Sequence, residues 1–298
     1  MDTIVPEAAG SSPLPRPTPD EFFAHIYGKN AFESVIVPSF ENQSGLVGIL
    51  DGVNGIVSDL SFKPDPQAMI PWVVKATLKI VEAATKEPSV KRIVLTSSSS
   101  AAYTLRPDPN GRTLDSWNET AVKAAWDDKS PEKERGVTVY SASKTEGGRQ
   151  AWKWIQEHRP QFQFNAVLPC VNMTPHAEIP GSTMRSTCKL LGGNTSAFSK
   201  YPEQDVARLM GIGLMDAGVT SERSFAFGEQ MTWADVVRML RELQPTNTRI
   251  PDPPDNLPRG RTDVPPRRRA EELLHVWGHR GFTPIRQRLA SGIKDCGY

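Results

Sequence analysis

Cysteine is scarce in this chain, long apolar runs are missing, and neither sign of charge prevails. The three cysteines (Cys170, Cys188, Cys296) are an odd number without metal-ligand spacing. That argues against a disulfide scaffold or a zinc cluster and points to a reducing compartment, so the expected location is cytoplasmic. No apolar stretch approaches a membrane span. Lysine and arginine number 35 against 34 aspartates and glutamates, a net charge of +1. Nothing at that level implies a nucleic-acid or membrane partner. The run Arg267-Arg268-Arg269 reads as a solvated helix start. None of the five histidines forms a metal spacing; His275 and His279 read as a surface pair, because Gly278 ends that helix. No metal is expected. The opening, Met1 to Pro19, holds five prolines but no basic start and no apolar core, so it reads as a flexible leader and not as a signal peptide. Without a secretion signal, sequons such as those at Asn118 and Asn194 read as chance matches.

What is present alternates between strand and helix patterns. A helix is expected over Glu21–Tyr27, stopped by Gly28. Short buried strands are expected at Ser34–Pro38 and Gly55–Leu60. In Gln67–Lys86 the apolar positions Ile70, Val73, Val74, Leu78 and Val81 follow the helical period. Arg92–Thr96 is an uninterrupted apolar run, as in a parallel strand covered on both faces. A polar connection follows over Pro107–Gly136, then a helix at Tyr140–Glu157 and a strand at Phe164–Leu168. This order predicts an α/β protein with a doubly wound, Rossmann-type parallel sheet. After Pro169 short elements alternate: helices at Glu203–Met215, Trp233–Leu243 and Arg269–Trp277, and a strand at Ser224–Phe227. The expected organisation is a leader (1–19), a Rossmann-like domain (20–168) and a small α+β substrate-binding region (169–298), some of which can return to the sheet.

The chemistry concentrates in Tyr140-Ser141-Ala142-Ser143-Lys144, downstream of a strand that ends Thr96-Ser97-Ser98-Ser99-Ser100. Tyr140 and Lys144, four apart, share one helix face. An ammonium beside a phenol eases loss of the phenolic proton. A serine hydroxyl at the neighbouring strand end can hold a carbonyl oxygen next to that phenol. Together they make an acid/base pair and an oxyanion donor.

At these residues the chain resembles the extended short-chain dehydrogenase/reductases of the NAD-dependent epimerase/dehydratase superfamily, above all fungal dihydroflavonol-reductase-like and aldehyde-reductase-like members. The resemblance runs over residues 20 to 290. It is carried by Ser-Phe-Lys-Pro-Asp-Pro (61–66), Lys-Glu-Pro-Ser-Val-Lys-Arg-Ile-Val-Leu-Thr-Ser-Ser-Ser (86–99), Tyr-Ser-Ala-Ser-Lys-Thr-Glu (140–146), Asn-Ala-Val-Leu-Pro (165–169), Asp-Val-Ala-Arg (205–208) and Pro-Pro-Arg-Arg-Arg-Ala-Glu-Glu-Leu-Leu (265–274). It implies that Ser98 polarises the substrate oxygen, with Ser97 and Ser99 as register alternatives. Tyr140 is then the proton donor, and Lys144 tunes it and touches the nicotinamide ribose. The pocket is expected to hold Ser99, Cys170, Val171, Met173, His176 and Met184. Cys170 and Met173 would make it more apolar than in relatives.

The departures from the family are as specific. Its members open with a strand and a Gly-x-x-Gly-x-x-Gly turn that admits a pyrophosphate to a helix N-terminus. Here the leader joins the helix near Glu21 instead, so the first βαβ unit is expected to be lacking. Gly45, Gly48, Gly52 and Gly55 span an expected helix and do not form such a turn. Retained acid/base residues beside a lost nucleotide turn put a cofactor-independent proton-transfer enzyme first: an isomerase, dehydratase or cyclase acting on a carbonyl-containing specialised metabolite. The alternative is an NADPH-dependent carbonyl reductase, with Lys144 and Pro169 touching the cofactor. A non-catalytic binding module is the third reading. The expected partner is a small molecule, with a homodimer possible; Trp152 and Trp154 suit either an interface or the core.

Overall fold

Apolar runs bounded by turns pair as strands when helices can cover both of their faces, and among the described residues four such runs meet in one parallel sheet. The computed structural model describes residues 19–37, 39–40, 42–58, 65–104, 117–170, 182–194, 206–253 and 263–295. It divides into two compact units, 1–38 and 39–298.

In the first unit, helix α1 (Pro19–Tyr27) carries Asp20, whose carboxylate accepts from the Ser34 amide at 2.9 Å and from the Ser34 hydroxyl. Those two bonds, the hydroxyl's first, hold Asp20 below the ordinary carboxylate range. Phe23 stacks on Phe32 at 4.4 Å. The strand expected at Ser34–Pro38 does not form over its described residues: Val35 is 56% and Ile36 90% exposed. β-Branched residues favour a strand only where a neighbour's backbone completes the ladder, and among the described residues no strand pairs with this one.

In the second unit the elements run α2 (Gln43–Ile49), β1 (Gly55–Ser58), α3 (Pro66–Ala84), β2 (Arg92–Thr96), a 3₁₀ turn (Ser99–Ala101), α4 (Glu119–Ala125), α5 (Glu132–His158) and β3 (Gln163–Pro169). Then follow α6 (Ser182–Leu191), α7 (Val206–Met215), β4 (Arg223–Ala226), α8 (Trp233–Leu243), α9 (Arg267–Val276) and α10 (Ile285–Asp295). The strands lie side by side in chain order β1-β2-β3-β4, all parallel. Alternation along them splits the core. Ile93, Leu95, Phe164, Ala166, Leu168 and Phe225 form one cluster with Val81 and Ala84 of α3 and Ala151 of α5. Val94, Val167 and Ala226 form the opposite one with Leu209 and Ile212 of α7 and Leu273 and Leu274 of α9. A third cluster joins α6, α8 and α10 through Leu190, Leu191, Val237, Leu240, Leu289 and Ile293.

Several boundaries differ from the sequence reading. The long helix begins at Glu132, so Tyr140 lies two turns inside it and does not open it. The polar connection holds α4, started by Asn118, whose side chain accepts from the Ala121 amide. Part of the region after Pro169 joins the sheet, as the sequence reading left open: β4 pairs with β3, and α7 and α9 pack against the sheet. Trp152 meets Phe164 edge-on at 4.6 Å and belongs to the core, while Trp154 stacks on His158. Cys188 is disulfide-bonded, against the reading of the odd cysteine count.

Close approach of α3 and α5 depends on Gly147. A Cβ built there would stand 2.9 Å from Val73 Cγ1 and 3.5 Å from Thr77 Oγ1. Alanine gains about 1 kcal/mol over glycine inside a helix, but overpacking costs about 1–3 kcal/mol. Gly147→Ala is therefore expected to lower stability, by up to about 2 kcal/mol, and urea unfolding checks it.

Candidate active site

The carboxyl ends of parallel strands are where α/β folds bind ligands, and the singled-out residues meet there. Lys144 is 8% exposed, and its ammonium donates to the Thr96 carbonyl at 3.0 Å, tying α5 to the last residue of β2. That ammonium stands 5.9 Å from the centre of the half-buried Tyr140 ring. A small cavity beside it is lined by Leu95, Thr96, Ser97 and Lys144 with Val73, Thr77, Gly147 and Gly148.

The serines after β2 have separate tasks. The Ser97 amide donates to the Val167 carbonyl at 2.9 Å, extending the ladder to β3. The Ser98 hydroxyl caps the 3₁₀ turn, accepting from the Ser100 amide at 3.2 Å, and lies 2.9 Å from the Ser100 hydroxyl. Ser99 is buried in that turn. The sequence reading missed what holds the turn: Asn118. Its side-chain nitrogen donates to the Ser100 carbonyl at 2.8 Å, and its backbone amide donates to the Ala101 carbonyl at 3.0 Å. The signal available was an asparagine followed by glutamate at a helix start, obscured by the sequon.

Of the other expected pocket residues, Cys170 is half-buried just beyond β3. Val171, Met173 and His176 lie outside the described residues, as does the side chain of Met184. Pro169 ends β3 level with Ala226 of β4. No group of three or more metal-binding side chains occurs among the described residues, nor a helix long and apolar enough to cross a membrane.

The chain aligns with known reductases. It is 39% identical over 300 residues to a ketoreductase of Aspergillus novofumigatus, covering 95% of this chain and 87% of that protein. It is 30% identical over 275 residues to aldehyde reductase 2 of Sporidiobolus salmonicolor, covering 87% of this chain and 79% of the relative. Among solved structures, yeast methylglyoxal/isovaleraldehyde reductase complexed with NADPH superposes with a TM-score of 0.70 at 19% identity, over 93% of this chain and 87% of that one. No family model matches the sequence. The chain belongs to the extended short-chain dehydrogenase/reductase family, on a reductase-type scaffold.

These relatives correct the expectation of chemistry without a cofactor. They are named as reductases of ketones and aldehydes, and the fold neighbour carries NADPH. The missing glycine turn had favoured the other reading; the residues at the reactive end fit a nicotinamide riboside. A buried ammonium, a phenol and strand-end hydroxyls are the donors that a ribose and a carbonyl oxygen need. The pyrophosphate end finds no comparable cradle among the described residues. At α2 the Gly45 amide is already bonded to Asn42 at 3.1 Å, and α3 starts with the Asp65 carboxylate accepting from Gln67.

Proposed function

We propose that the protein is a carbonyl reductase that uses a nicotinamide cofactor, NADPH first, to convert a small ketone or aldehyde into its alcohol. The convergence of Tyr140, Lys144 and the serine turn on one end of the sheet carries this reading. The cofactor, when bound, supplies the hydride. The chain's own residues do the rest. The Ser98 hydroxyl donates to the substrate oxygen, relayed from Ser100, its neighbour at 2.9 Å. Tyr140 gives its phenolic proton to that oxygen as charge develops on it. Lys144, held by the Thr96 carbonyl, keeps positive charge near the phenolate that results. Asn118 fixes the turn from below.

Calorimetric titration with NADPH and NADH tests the proposal. Saturable heat and a thermal shift are expected for NADPH; no heat and no shift at millimolar cofactor would sink it. The serine register is tested alongside. Ser98→Ala is expected to lower kcat about a hundredfold, as for loss of one oxyanion donor, in the consumption of NADPH over a carbonyl panel. Ser97→Ala and Ser99→Ala should lose far less. A hundredfold loss on Ser97→Ala instead would move the role one residue back, to the serine that faces the cavity.

A further inference from the structure

Among the described residues β1 ends the sheet, with β2 on one side of it and no strand on the other. The Asn54 carbonyl accepts from the Lys91 amide at 2.8 Å, on the β2 side. Backbone groups alternate along a strand, so Ile56 and Ser58 also face β2, while Gly55 and Val57 turn their N–H and C=O groups to the open side. Natural edge strands are usually protected by a charge, a proline or a bulge. Gly55-Ile56-Val57-Ser58 has no charge and no proline, its register with β2 is unbroken, and Val57 is 45% exposed. The first unit carries the complementary lack. Ser34-Val35-Ile36-Val37 is a strand-forming run as long as β1, and it has no ladder. Asp20 anchors its first residue through the Ser34 amide and hydroxyl. Beyond that anchor the apolar side chains stand in water, Val35 at 56% and Ile36 at 90% exposure.

We propose that the protein assembles with a second copy of itself by strand exchange, Ser34–Val37 of each copy adding to the open side of the other's β1. Within one copy Val35, Ile36 and Val57 all stay exposed, so what covers them comes from outside the chain, and a second copy brings both halves of the match. The exchange is reciprocal, as a twofold assembly requires: each copy gives one strand and receives one. Two new ladders then satisfy the outward backbone groups of Gly55 and Val57, which is how an added strand gains its affinity. The exposed valines and Ile36 leave water in the same step. Neither run carries a charged residue, so no like charges meet across the new ladder. The bonds from Ser34 to Asp20 fix one end of the exchanged strand beforehand and lower the cost of ordering it. The inference does not depend on the cofactor reading.

Sedimentation equilibrium of the full chain over a wide range of concentration tests this, with thermal melts to confirm that each variant folds. Wild type is expected to form a dimer that dissociates on dilution. Val57→Pro deletes an outward N–H and none of the bonds from β1 to β2, a setting in which an edge strand tolerates proline. It is expected to raise the Kd of the dimer about a hundredfold, because each of the two symmetry-related ladders loses a hydrogen bond. Ile36→Asp places a charge on the exchanged strand at a side chain that is 90% exposed in the single chain. It should weaken the dimer at least as far without lowering the Tm of the monomer, and it decides alone if Val57→Pro fails to fold. Val276→Asp, at a 76% exposed position on α9, is the control and should leave the Kd unchanged. A wild type that stays monomeric at every concentration overturns the inference. So does a dimer that either folded variant leaves intact, or one that Val276→Asp weakens as much as they do.

Discussion

Tyr140→Phe is expected to lower carbonyl reduction about a thousandfold while leaving NADPH binding nearly unchanged. General acid catalysis contributes about 10²–10⁴ in rate, and a thousandfold is about 4 kcal/mol of barrier. The substitution removes one oxygen and keeps the ring. The ring lies half-buried on α5, and its packing contributes to the helix whether or not the hydroxyl is present. Loss should therefore appear in kcat, with the melting temperature and the calorimetric Kd little moved. Measuring all three on one preparation makes the result decisive. A phenylalanine variant that reduces carbonyls at the wild-type rate would remove Tyr140 from the chemistry, and one that fails to bind NADPH would make it a cofactor contact instead of an acid.

The periodicities that encode burial were legible, and the features that depend on a partner were not. Arg92–Thr96 was readable as a strand because both of its faces are covered, by α3 and α5 on one side and α7 on the other. Ser34–Val37 has equal β-propensity yet stays outside any sheet, because propensity supplies no neighbouring ladder. The start of α5 at Glu132 was hidden by a polar first turn, in which Glu132 and Glu134 are exposed and no apolar stripe marks the helix. Thr232, by contrast, was a readable helix start: it forms a capping box with Asp235, each side chain bonding the other residue's amide.

The proximity of Tyr140 and Lys144 in the candidate site was legible for the same reason. Tyr140 and Lys144 are four apart on one helix, a relation that sequence states outright, and the serine run marks a strand end. What sequence could not give was the third dimension of the turn. Asn118, eighteen residues beyond Ser100, reaches back to its carbonyl across a segment with no pattern of its own. The cofactor reading failed through a related asymmetry. A glycine turn is a conspicuous local motif, so its absence weighed heavily. The ammonium fixed to the Thr96 carbonyl is a long-range relation and left no comparable mark in the sequence.

Lys144→Met is expected to reduce activity about as far as Tyr140→Phe does, about a thousandfold, and the double variant should be little worse than either single one. Methionine fills the space of the lysine stem but carries no charge. The substitution removes the ammonium near the Tyr140 ring and its bond to the Thr96 carbonyl, a bond worth about 1.5–3 kcal/mol for a charged donor. Relief from burying a charge at an 8% exposed position offsets that loss. The net change in stability should be small, unlike the change in rate. If Lys144 works through the phenol, removing the phenol leaves the ammonium nothing to tune, and the two losses overlap instead of multiplying. If it served only to pin α5 to β2, Lys144→Met would lower the unfolding midpoint and spare kcat. Losses that multiply to about a millionfold would mean that each group acts alone. Lys144→Met should also weaken NADPH binding where Tyr140→Phe does not, since the ammonium lies on the side of the site assigned to the ribose. That split, a shared loss in kcat with a Kd effect confined to Lys144, is the result that would identify the pair as one acid/base unit with a cofactor-facing half.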